Sequence, residues 1–399
     1  MWPFELVLLL YALKTGMFYR IDRIRKMKSQ MRVCRKRDFP TVEILLPMYN
    51  EEKVIVQTIQ NLLAVEYNKF SIIVVDDGST DDSYALVDTF YSGHPKVKLL
   101  RQINAGKSAA LNKGVKASSS DIIVTIDADT WVRSDAIGKI VAYFDDKDVA
   151  AVAGHIKVGN RVNLLTEMQY FEYIAIWDND RAMFDAVNGI LVIPGALSAF
   201  RRAAVEAVGG FKSEMIAEDT ELTLRLLRHN YVLRTARDAV AFTEAPDNLK
   251  MFFRQRIRWT VGLMQGLLQH NRTLFSHVNR YLPYLVLPMT WGFRVIFPFF
   301  LALVDYYFIY SFFVKHYMAL VWWPAIIFTE AVTNYVILKR NKEKVSILKL
   351  IIIQRLYRHL LFCNYWVILL NWLNGNLFRW RKITRKGNIT INDNVPGSV

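Results

Sequence analysis

The chain has 399 residues, is 53% hydrophobic and 13% aromatic, and carries a formal net charge of +15. This length exceeds that of one small domain and allows at least one full hydrophobic core. The basic residues do not form a stripe interleaved with base-stacking aromatic residues, which argues against nucleic-acid binding. The two cysteines are far apart in the sequence, which argues against a disulfide framework.

The first apolar run, residues 4–19, is followed by a dense block of Lys and Arg between Arg20 and Arg37. No small-residue cleavage site follows the run, which favours an uncleaved membrane anchor over a signal peptide. Lys and Arg beside apolar segments are typical of the cytoplasmic face of a membrane, where anionic lipid headgroups attract them. We therefore expect an N-terminal anchor at residues 1–20 and a cytoplasmic basic linker at residues 21–39.

Residues 40–247 have the composition of a globular domain, in which short β-branched runs alternate with helical patterns. Strands are predicted at residues 41–47, 70–75, 96–100 and 121–126, and a helix at residues 54–64. This alternation predicts an α/β fold with a mainly parallel sheet. Ligands bind beyond the carboxyl ends of such strands. Polar clusters stand at three of those ends, at residues 48–51, 76–79 and 127–129.

Two common nucleotide motifs are absent from this region. No G-x-G-x-x-G follows the first strand, which argues against a Rossmann dinucleotide site. Residues 104–108 (NAGKS) look like the end of a P-loop, but Arg101 stands where the leading glycine should be.

Asp127 and Asp129 follow a predicted strand and are separated by one small residue, so alternation places both carboxylates on one side. Two such oxygen ligands would hold Mg²⁺ or Mn²⁺ and leave room for water and a substrate diphosphate. A solvated turn or a helix cap is the simpler interpretation of a lone D-x-D. Residues 76–81 (DDGSTD) end another strand, and the simpler interpretation is an N-cap of the next helix provided by Ser79 or Asp81. In the other interpretation a carboxylate here binds a nucleoside, and Asp77 is preferred over Asp76 for that role.

Glu218 and Asp219 precede a helical pattern, where one of them is expected to cap the helix and Asp219 is a candidate general base. Residues 248–280 predict an amphipathic helix with Gln255, Arg258 and Trp259 on one face. One interpretation is a helix lying on the membrane surface. In the other, Arg258 supplies charge to a leaving diphosphate and Trp259 stacks on an acceptor sugar.

These clusters resemble the processive branch of the family 2 glycosyltransferases, which have a GT-A fold. The matching residues are, in order, Asp77, Asp127-x-Asp129, Asp219 and Gln255-x-x-Arg258-Trp259. The resemblance extends over residues 40–265. Residues 193–196, 209–211 and 243–246 are similar to the synthases of poly-N-acetylglucosamine, with cellulose, chitin and hyaluronan synthases as more distant relatives. The resemblance implies metal-dependent, inverting transfer of a sugar, N-acetylglucosamine, from a UDP-sugar to a growing β-linked polysaccharide.

The resemblance also implies a role for each matching residue. The uridine would be held by Pro47, Tyr49, Glu51 and Asp77. Lys107 would lie near the nucleotide or its phosphates, and Asp127 and Asp129 would bind Mg²⁺ or Mn²⁺. Asp219 would be the general base. The acceptor-side wall would consist of Gln255, Arg258 and Trp259.

Residues 281–374 are mostly apolar and predict transmembrane helices, followed by a basic tail at residues 375–399. Together with the N-terminal anchor, we expect roughly three to five spans. Their intramembrane ionisable residues, Arg294, Asp305, Arg355 and Arg358, favour a polar path for sugar. We expect a multi-pass protein of the cytoplasmic membrane, with its catalytic domain in the cytoplasm and an accessory membrane subunit as a further partner. Two alternatives remain open. One is a non-processive glycolipid synthase of the ceramide or diacylglycerol type, and the other is a transporter or receptor with a nucleotide-binding domain.

Overall fold

The computed structural model describes residues 16, 40–270, 281–315, 317–374, 387 and 389, without the side chains of residues 178, 293, 295, 297–299 and 301. The predicted anchor and basic linker, apart from residue 16, and most of the predicted tail lie outside the described residues. The chain divides into two compact units. The sheet unit contains residues 40–170, 187–270, 387 and 389, and the helical unit contains residues 171–186 and 281–374.

Eight strands form one sheet in the sheet unit. They are β1 (Val42–Met48), β2 (Phe70–Asp76), β3 (Val97–Arg101), β4 (Ile122–Thr125), β5 (Thr130–Val132), β6 (Val149–Val158), β7 (Ser198–Arg201) and β8 (Val232–Thr243). Their spatial order is β3-β2-β1-β4-β7-β6-β8-β5. The first four are parallel, and so are β6 and β8, whereas β7 is antiparallel to both neighbours and β5 is antiparallel to β8. The predicted α/β sheet is confirmed, but it is a mixed sheet.

The central strands β1, β2 and β4 are runs of Ile, Leu and Val whose side chains are almost all buried. Strands covered on both faces have such continuous apolar runs instead of an apolar–polar alternation. The register places Met48 beside Asp76, and Leu45 beside Thr125. The carboxyl ends of these strands therefore meet at one edge, and the polar residues that follow them lie there.

Helices connect the strands of the sheet unit along the chain. They are α1 (Ile55–Leu63), α2 (Ser83–Tyr91), α3 (Lys107–Ala117), α4 (Ala136–Val141), α5 (Leu164–Glu172), α7 (Arg202–Ala207), α8 (Glu218–Arg228) and α9 (Leu249–Gln269). Helix α6 (Asn179–Asp185) belongs to the helical unit. Helix α9 forms where the amphipathic pattern predicts it. Asn248 caps its N-terminus, because the Asn248 side chain accepts a hydrogen bond from the amide of Met251 at 3.0 Å.

The later helices of the helical unit are α10 (Leu287–Trp291), α11 (Phe297–Phe313), α12 (Met318–Arg340) and α13 (Ile347–Leu373). Among the described residues, α12 is the one helix that is long and apolar enough to cross a membrane. Helix α11 has 17 residues, and α13 contains Lys349, Arg355 and Arg358. The predicted multi-span region therefore stays a prediction.

Charged side chains link three helices within the helical unit. Arg355 Nη1 lies 2.7 Å from Asp305 Oδ1, and both Arg355 and Arg358 contact the carboxylate of Glu330. Asp305 belongs to α11, Glu330 to α12 and the two arginines to α13. Ionisable groups among apolar helices are costly unless they are paired. The network compensates these charges within the unit.

Candidate active site

A cleft with about 270 Å³ of empty space opens where β1 and β4 end. Its lining includes Pro47, Lys107, Asp127 and Asp219, all of which were singled out from the sequence. These residues come from distant segments of the chain, so the fold assembles them. Tyr49, Glu51, Asp77, Asp129, Gln255, Arg258 and Trp259 are not part of this lining.

Asp77 follows β2 and is only 3% exposed, and its carboxylate holds the loop before α3. Its Oδ1 accepts hydrogen bonds from Gln102 Nε2 at 2.7 Å and from the amide of Ala105 at 2.9 Å. Its Oδ2 accepts a hydrogen bond from the amide of Gly106 at 2.8 Å. Gly106 has a φ of +90°, a conformation that glycine adopts readily. Asp77 therefore fixes the backbone directly before Lys107, the first residue of α3.

Asp76, the alternative to Asp77, is completely buried. Its Oδ1 accepts a hydrogen bond from the amide of Ser79 at 3.1 Å, and its Oδ2 lies 3.1 Å from Nε of Arg101. These contacts give Asp76 a structural role in the turn after β2.

The loop after β1 is attached to the loop after β2. The amide of Asn50 donates to Ser79 Oγ at 3.0 Å, and the amide of Glu51 donates to Ser83 Oγ at 2.7 Å. Asn50 has a φ of +53°, which Asn tolerates better than most residues. Tyr49 and Glu51 therefore lie beside the turn that follows β2, on the same sheet edge as Asp77.

Lys107 bridges two carboxylates of the cleft. Its Nζ lies 2.6 Å from Asp127 Oδ1 and 3.0 Å from Glu218 Oε1. Burial by itself would lower the pKa of Lys107, but the charges of Asp127 and Glu218 outweigh it and raise the pKa above its usual range. The ammonium group is therefore charged at any physiological pH.

Gly195 closes this part of the cleft. Because β7 is antiparallel to β4, with Ser198 beside Thr125, the segment leading into β7 meets the end of β4. A Cβ on Gly195 would lie 2.6 Å from Lys107 Nζ and 3.5 Å from Asp127 Oδ1. Any larger residue would disturb that ion pair, which gives a physical reason for the glycine in the 193–196 segment.

Asp127 and Asp129 are the candidate metal ligands. Asp127 has a side chain that is 30% exposed at the cleft, whereas Asp129 is 5% exposed. Within the described part of the chain, no group of three or more His, Cys, Asp or Glu side chains is arranged to hold a metal ion. The hard oxygen donors are suited to Mg²⁺ or Mn²⁺ that takes its other ligands from water and a bound diphosphate.

Asp219 lies in the first turn of α8, where its Oδ1 accepts a hydrogen bond from the amide of Thr220 at 2.7 Å. Burial is the largest cause that raises its pKa, the charge of Glu218 adds to it, and the net pKa is about 6. A carboxylate with this pKa is ionised at neutral pH and binds a proton more strongly than an ordinary aspartate. Such a group can accept a proton from an attacking hydroxyl group.

Helix α9 packs closely against the start of α8. A Cβ on Gly262 would lie 2.5 Å from the Cβ of Ala217, and one on Gly266 would lie 3.3 Å from Thr220 Cγ2. Small residues one helical turn apart let the two segments approach. This packing brings α9 against the residues on either side of Asp219.

The three residues predicted on α9 have different environments. Arg258 lies close enough to Asp219 for its charge to oppose the rise in the pKa of that carboxylate. Gln255 is 4% exposed, and its side-chain oxygen has no hydrogen-bond partner among the described residues. A buried acceptor without a donor costs free energy, which favours a site that a polar ligand completes. Arg256, not singled out from the sequence, is buried and lies 4.6 Å over the ring of Trp259.

The sequence analysis also missed a buried ion cluster on α8, in the turns that follow Asp219. Glu221 is completely buried, and its carboxylate accepts hydrogen bonds from Arg225 Nε at 2.7 Å and contacts His270 Nε2 at 3.2 Å. Arg225 also donates to the carbonyls of Val208 and Gly210. The cluster joins α8, the end of α9 and the loop at residues 208–211. Its one sequence signal is the i, i+4 spacing of Glu221 and Arg225, which is equally typical of exposed pairs.

Known proteins resemble this chain in sequence. Residues 43–209 match the family model described as Glycosyl transferase family 2. Poly-beta-1,6-N-acetyl-D-glucosamine synthases from Staphylococcus aureus (strain COL) and Staphylococcus epidermidis are 31% and 28% identical to it over 229 residues. Each alignment covers 57% of this chain and 56% of the relative, so the match spans little more than half of either protein.

A solved structure resembles the chain in three dimensions. A mannosyltransferase from Pyrobaculum calidifontis, in complex with GDP-Man and Mn²⁺, superposes with a TM-score of 0.56 over 92% of this chain and 99% of that one. The two are 19% identical, so the likeness shows a shared fold. The sequence matches confirm the family resemblance inferred from the motifs, and the structural likeness supports its fold.

Proposed function

Because residues 43–209 form a family 2 glycosyltransferase domain, we propose that the chain transfers N-acetylglucosamine from a UDP-sugar to a growing β-linked polysaccharide. The observation that carries this proposal is that Lys107, Asp127 and Asp219 line the same cleft. A cation, a candidate metal ligand and a base of raised pKa then surround one space. The two staphylococcal relatives are named as synthases of a β-linked N-acetylglucosamine polymer, which supports the choice of donor and product.

On the donor side, the uridine lies at the carboxyl edge of β1 and β2, against Pro47, Tyr49, Glu51 and Asp77. A carboxylate has about four lone-pair positions, and the three donors to Asp77 leave room for one more, such as a uracil N–H. Asp127 and Asp129 would hold Mg²⁺ or Mn²⁺. The bound ion would neutralise charge that develops on the leaving group.

In the transfer itself, Asp219 takes the proton of the acceptor hydroxyl group. The oxygen of that hydroxyl group attacks the anomeric carbon of the donor sugar. The new C–O bond forms as the bond to the β-phosphate oxygen breaks, and the electron pair leaves with UDP. Lys107 and Arg258 stabilise the negative charge on the departing diphosphate. A single in-line displacement inverts the configuration and gives a β-linked product.

The acceptor binds against α9, which lies within the range predicted for the acceptor helix, residues 248–280. The ring of Trp259, held beneath the Arg256 guanidinium, offers a flat apolar surface for a sugar face. The buried oxygen of Gln255 then accepts a hydrogen bond from an acceptor hydroxyl. Both contacts are expected of a polysaccharide acceptor and neither requires a lipid.

We assign the helical unit to the cytoplasmic membrane as a multi-pass region, with the active site facing the cytoplasm. Helix α12 has the length and composition of a span. Ion pairs from Asp305 and Glu330 to Arg355 compensate the charges of α11 and α13, so these helices are suited to the membrane in spite of them. The basic segments of the sequence bind anionic lipid headgroups, and an accessory membrane subunit assists export of the polymer.

The size of the product tests the proposal. The purified protein in lipid nanodiscs receives Mg²⁺ or Mn²⁺ and radiolabelled UDP-N-acetylglucosamine or, separately, UDP-glucose. We expect long, alkali-stable, lipid-free chains from UDP-N-acetylglucosamine. A single sugar on an organic-soluble lipid would replace the proposal by glycolipid synthesis, and no transfer from either donor would overturn it.

A matched pair of variants tests the role of the base. Asp219→Asn should lower kcat by at least about 100-fold, because general-base catalysis contributes that much or more. Asp238→Asn makes the same chemical change at an exposed position of β8 and should leave kcat unchanged. Equal activity of a folded Asp219→Asn protein would refute the assignment.

A further inference from the structure

The ammonium group of Lys107 contacts the Asp127 carboxylate, which a divalent ion would need as a ligand. It contacts Asp127 Oδ1 at 2.6 Å and Glu218 Oε1 at 3.0 Å, so it neutralises one acidic side chain from β4 and another from α8. A metal ion bound to Asp127 would lie within a few ångströms of this ammonium, and two such cations repel each other strongly in a partly buried cleft. Lys107 and the metal ion therefore compete for one carboxylate.

The position of Lys107 is restricted from both sides. Gly195 leaves space for the ion pair between Lys107 and Asp127, because even a Cβ at position 195 would lie 2.6 Å from Lys107 Nζ. On the backbone side, Asp77 holds the amides of Ala105 and Gly106 and thereby the start of α3. The four-carbon side chain beyond that anchor can still rotate. Lys107 can consequently leave Asp127 without any movement of the helix.

We propose that Lys107 is a resident counter-ion that makes divalent-metal binding depend on the nucleotide. Without nucleotide, its ammonium group holds Asp127 and Glu218 together and keeps the affinity for Mg²⁺ or Mn²⁺ low. A nucleoside diphosphate draws the ammonium group to its phosphate oxygens and frees Asp127 for the metal ion. The ligand is taken from the proposed function, but the inference concerns binding before any sugar is transferred.

This arrangement also links the two halves of the donor site. Asp77, which we assign to the uridine, and Asp127, which we assign to the metal ion, are connected through residues 105–107. Binding of the nucleotide and release of the Asp127 carboxylate from Lys107 are thereby coupled. Coupling between two ligands is reciprocal, so the metal ion should tighten nucleotide binding by the same factor.

Mn²⁺ binding to the full chain in nanodiscs, followed by electron paramagnetic resonance of the free ion, tests the proposal without a transfer assay. It is measured with and without UDP for the unmodified protein and for Lys107→Met, which keeps an unbranched side chain one heavy atom shorter and removes the charge. Lys116→Met is the matched control, because Lys116 is an exposed lysine on the same helix. Lys107→Gln repeats the measurement with a second neutral side chain, and thermal unfolding verifies that each variant is folded.

Without UDP, Lys107→Met should bind Mn²⁺ about tenfold more tightly than the unmodified protein, because a competing unit charge is gone. The tightening produced by UDP should be about tenfold smaller in this variant, and Lys116→Met should match the unmodified protein in both respects. Unchanged or weaker Mn²⁺ binding by both neutral Lys107 variants would overturn the proposal. If Mn²⁺ binding changes as expected but no UDP-sugar is consumed, the counter-ion role stands and the proposed function fails.

Discussion

Gly262 of α9 lies so close to Ala217, two residues before Asp219, that a Cβ on the glycine would come within 2.5 Å of the alanine Cβ. Gly262→Ala therefore forces α9 away from α8 and should lower kcat at least about tenfold, since small displacements of catalytic groups are costly. Gly138→Ala is the matched control, because its nearest neighbour would be at an ordinary 3.9 Å. If both variants retain full activity, the distance between α8 and α9 has no part in catalysis.

The pH profile should report Asp219. Its pKa is raised to about 6, mainly by burial, and a general base works only in its ionised form. The logarithm of kcat/KM should therefore be flat above about pH 7 and fall with a slope near one below about pH 6. Initial rates in buffers of constant ionic strength measure this profile. An unchanged descending limb in Asp219→Asn would assign the limb to another group.

The buried cluster around Glu221 should dominate the stability of α8. Burial by itself raises the pKa of Glu221, but the hydrogen bonds from His270 and Arg225 outweigh it, and the net pKa is below its usual value of 4.5. Glu221→Gln leaves Arg225 buried without its counter-charge and should lower the free energy of unfolding by about 3 kcal/mol. Chemical denaturation at neutral pH measures the loss.

The same cluster predicts a pH dependence of stability. A carboxylate whose pKa is lowered by folding stabilises the protein above its unfolded pKa and loses that contribution as the pH falls through the folded value. The gap between the unmodified protein and Glu221→Gln should therefore be full above about pH 5 and shrink below pH 4.5. Glu206→Gln, in the exposed i, i+4 pair with Arg202, should change stability by less than about 0.5 kcal/mol.

Arg355 should be the principal ionic link of the helical unit. It contacts Asp305 of α11 and Glu330 of α12, both of which are largely buried. Arg355→Met leaves two acidic groups with less compensation and should lower the unfolding temperature of the protein in detergent by several degrees. Lys344→Met removes a charge from an exposed position before α13 and should have little effect. Equal shifts in both variants would mean that net charge alone is responsible.

Much of the sheet and its edge could be predicted from the sequence. Strands β1, β2 and β4 are continuous runs of Ile, Leu and Val that end in polar residues, and such runs are read directly from the chain. The placement of residues 48–51, Asp77 and Asp127 at one edge followed from the predicted parallel topology.

Other features depend on contacts between residues far apart in the chain. The antiparallel direction of β7, which brings Gly195 to Asp127, has no local signal in the sequence. The ion pair of Glu218 with Lys107 is missed because an acidic residue in the first turn of a helix is normally a favourable partner of the helix dipole. Arg256 is missed because an arginine beside an apolar face is normally solvated, whereas here it lies over Trp259.

The grip of Asp77 on Ala105 and Gly106 limits how the donor preference can be redesigned. In the proposed function, Asp77 binds the nucleobase and Lys107 contacts the diphosphate. A substitution at Asp77 meant to accept a different nucleobase would then also remove the hydrogen bonds that fix the start of α3, where Lys107 lies. Base choice and phosphate contact could therefore not be engineered independently at this carboxylate. Libraries directed at new nucleotide sugars should vary Tyr49 and Glu51, whose loop is attached separately through Ser79 and Ser83.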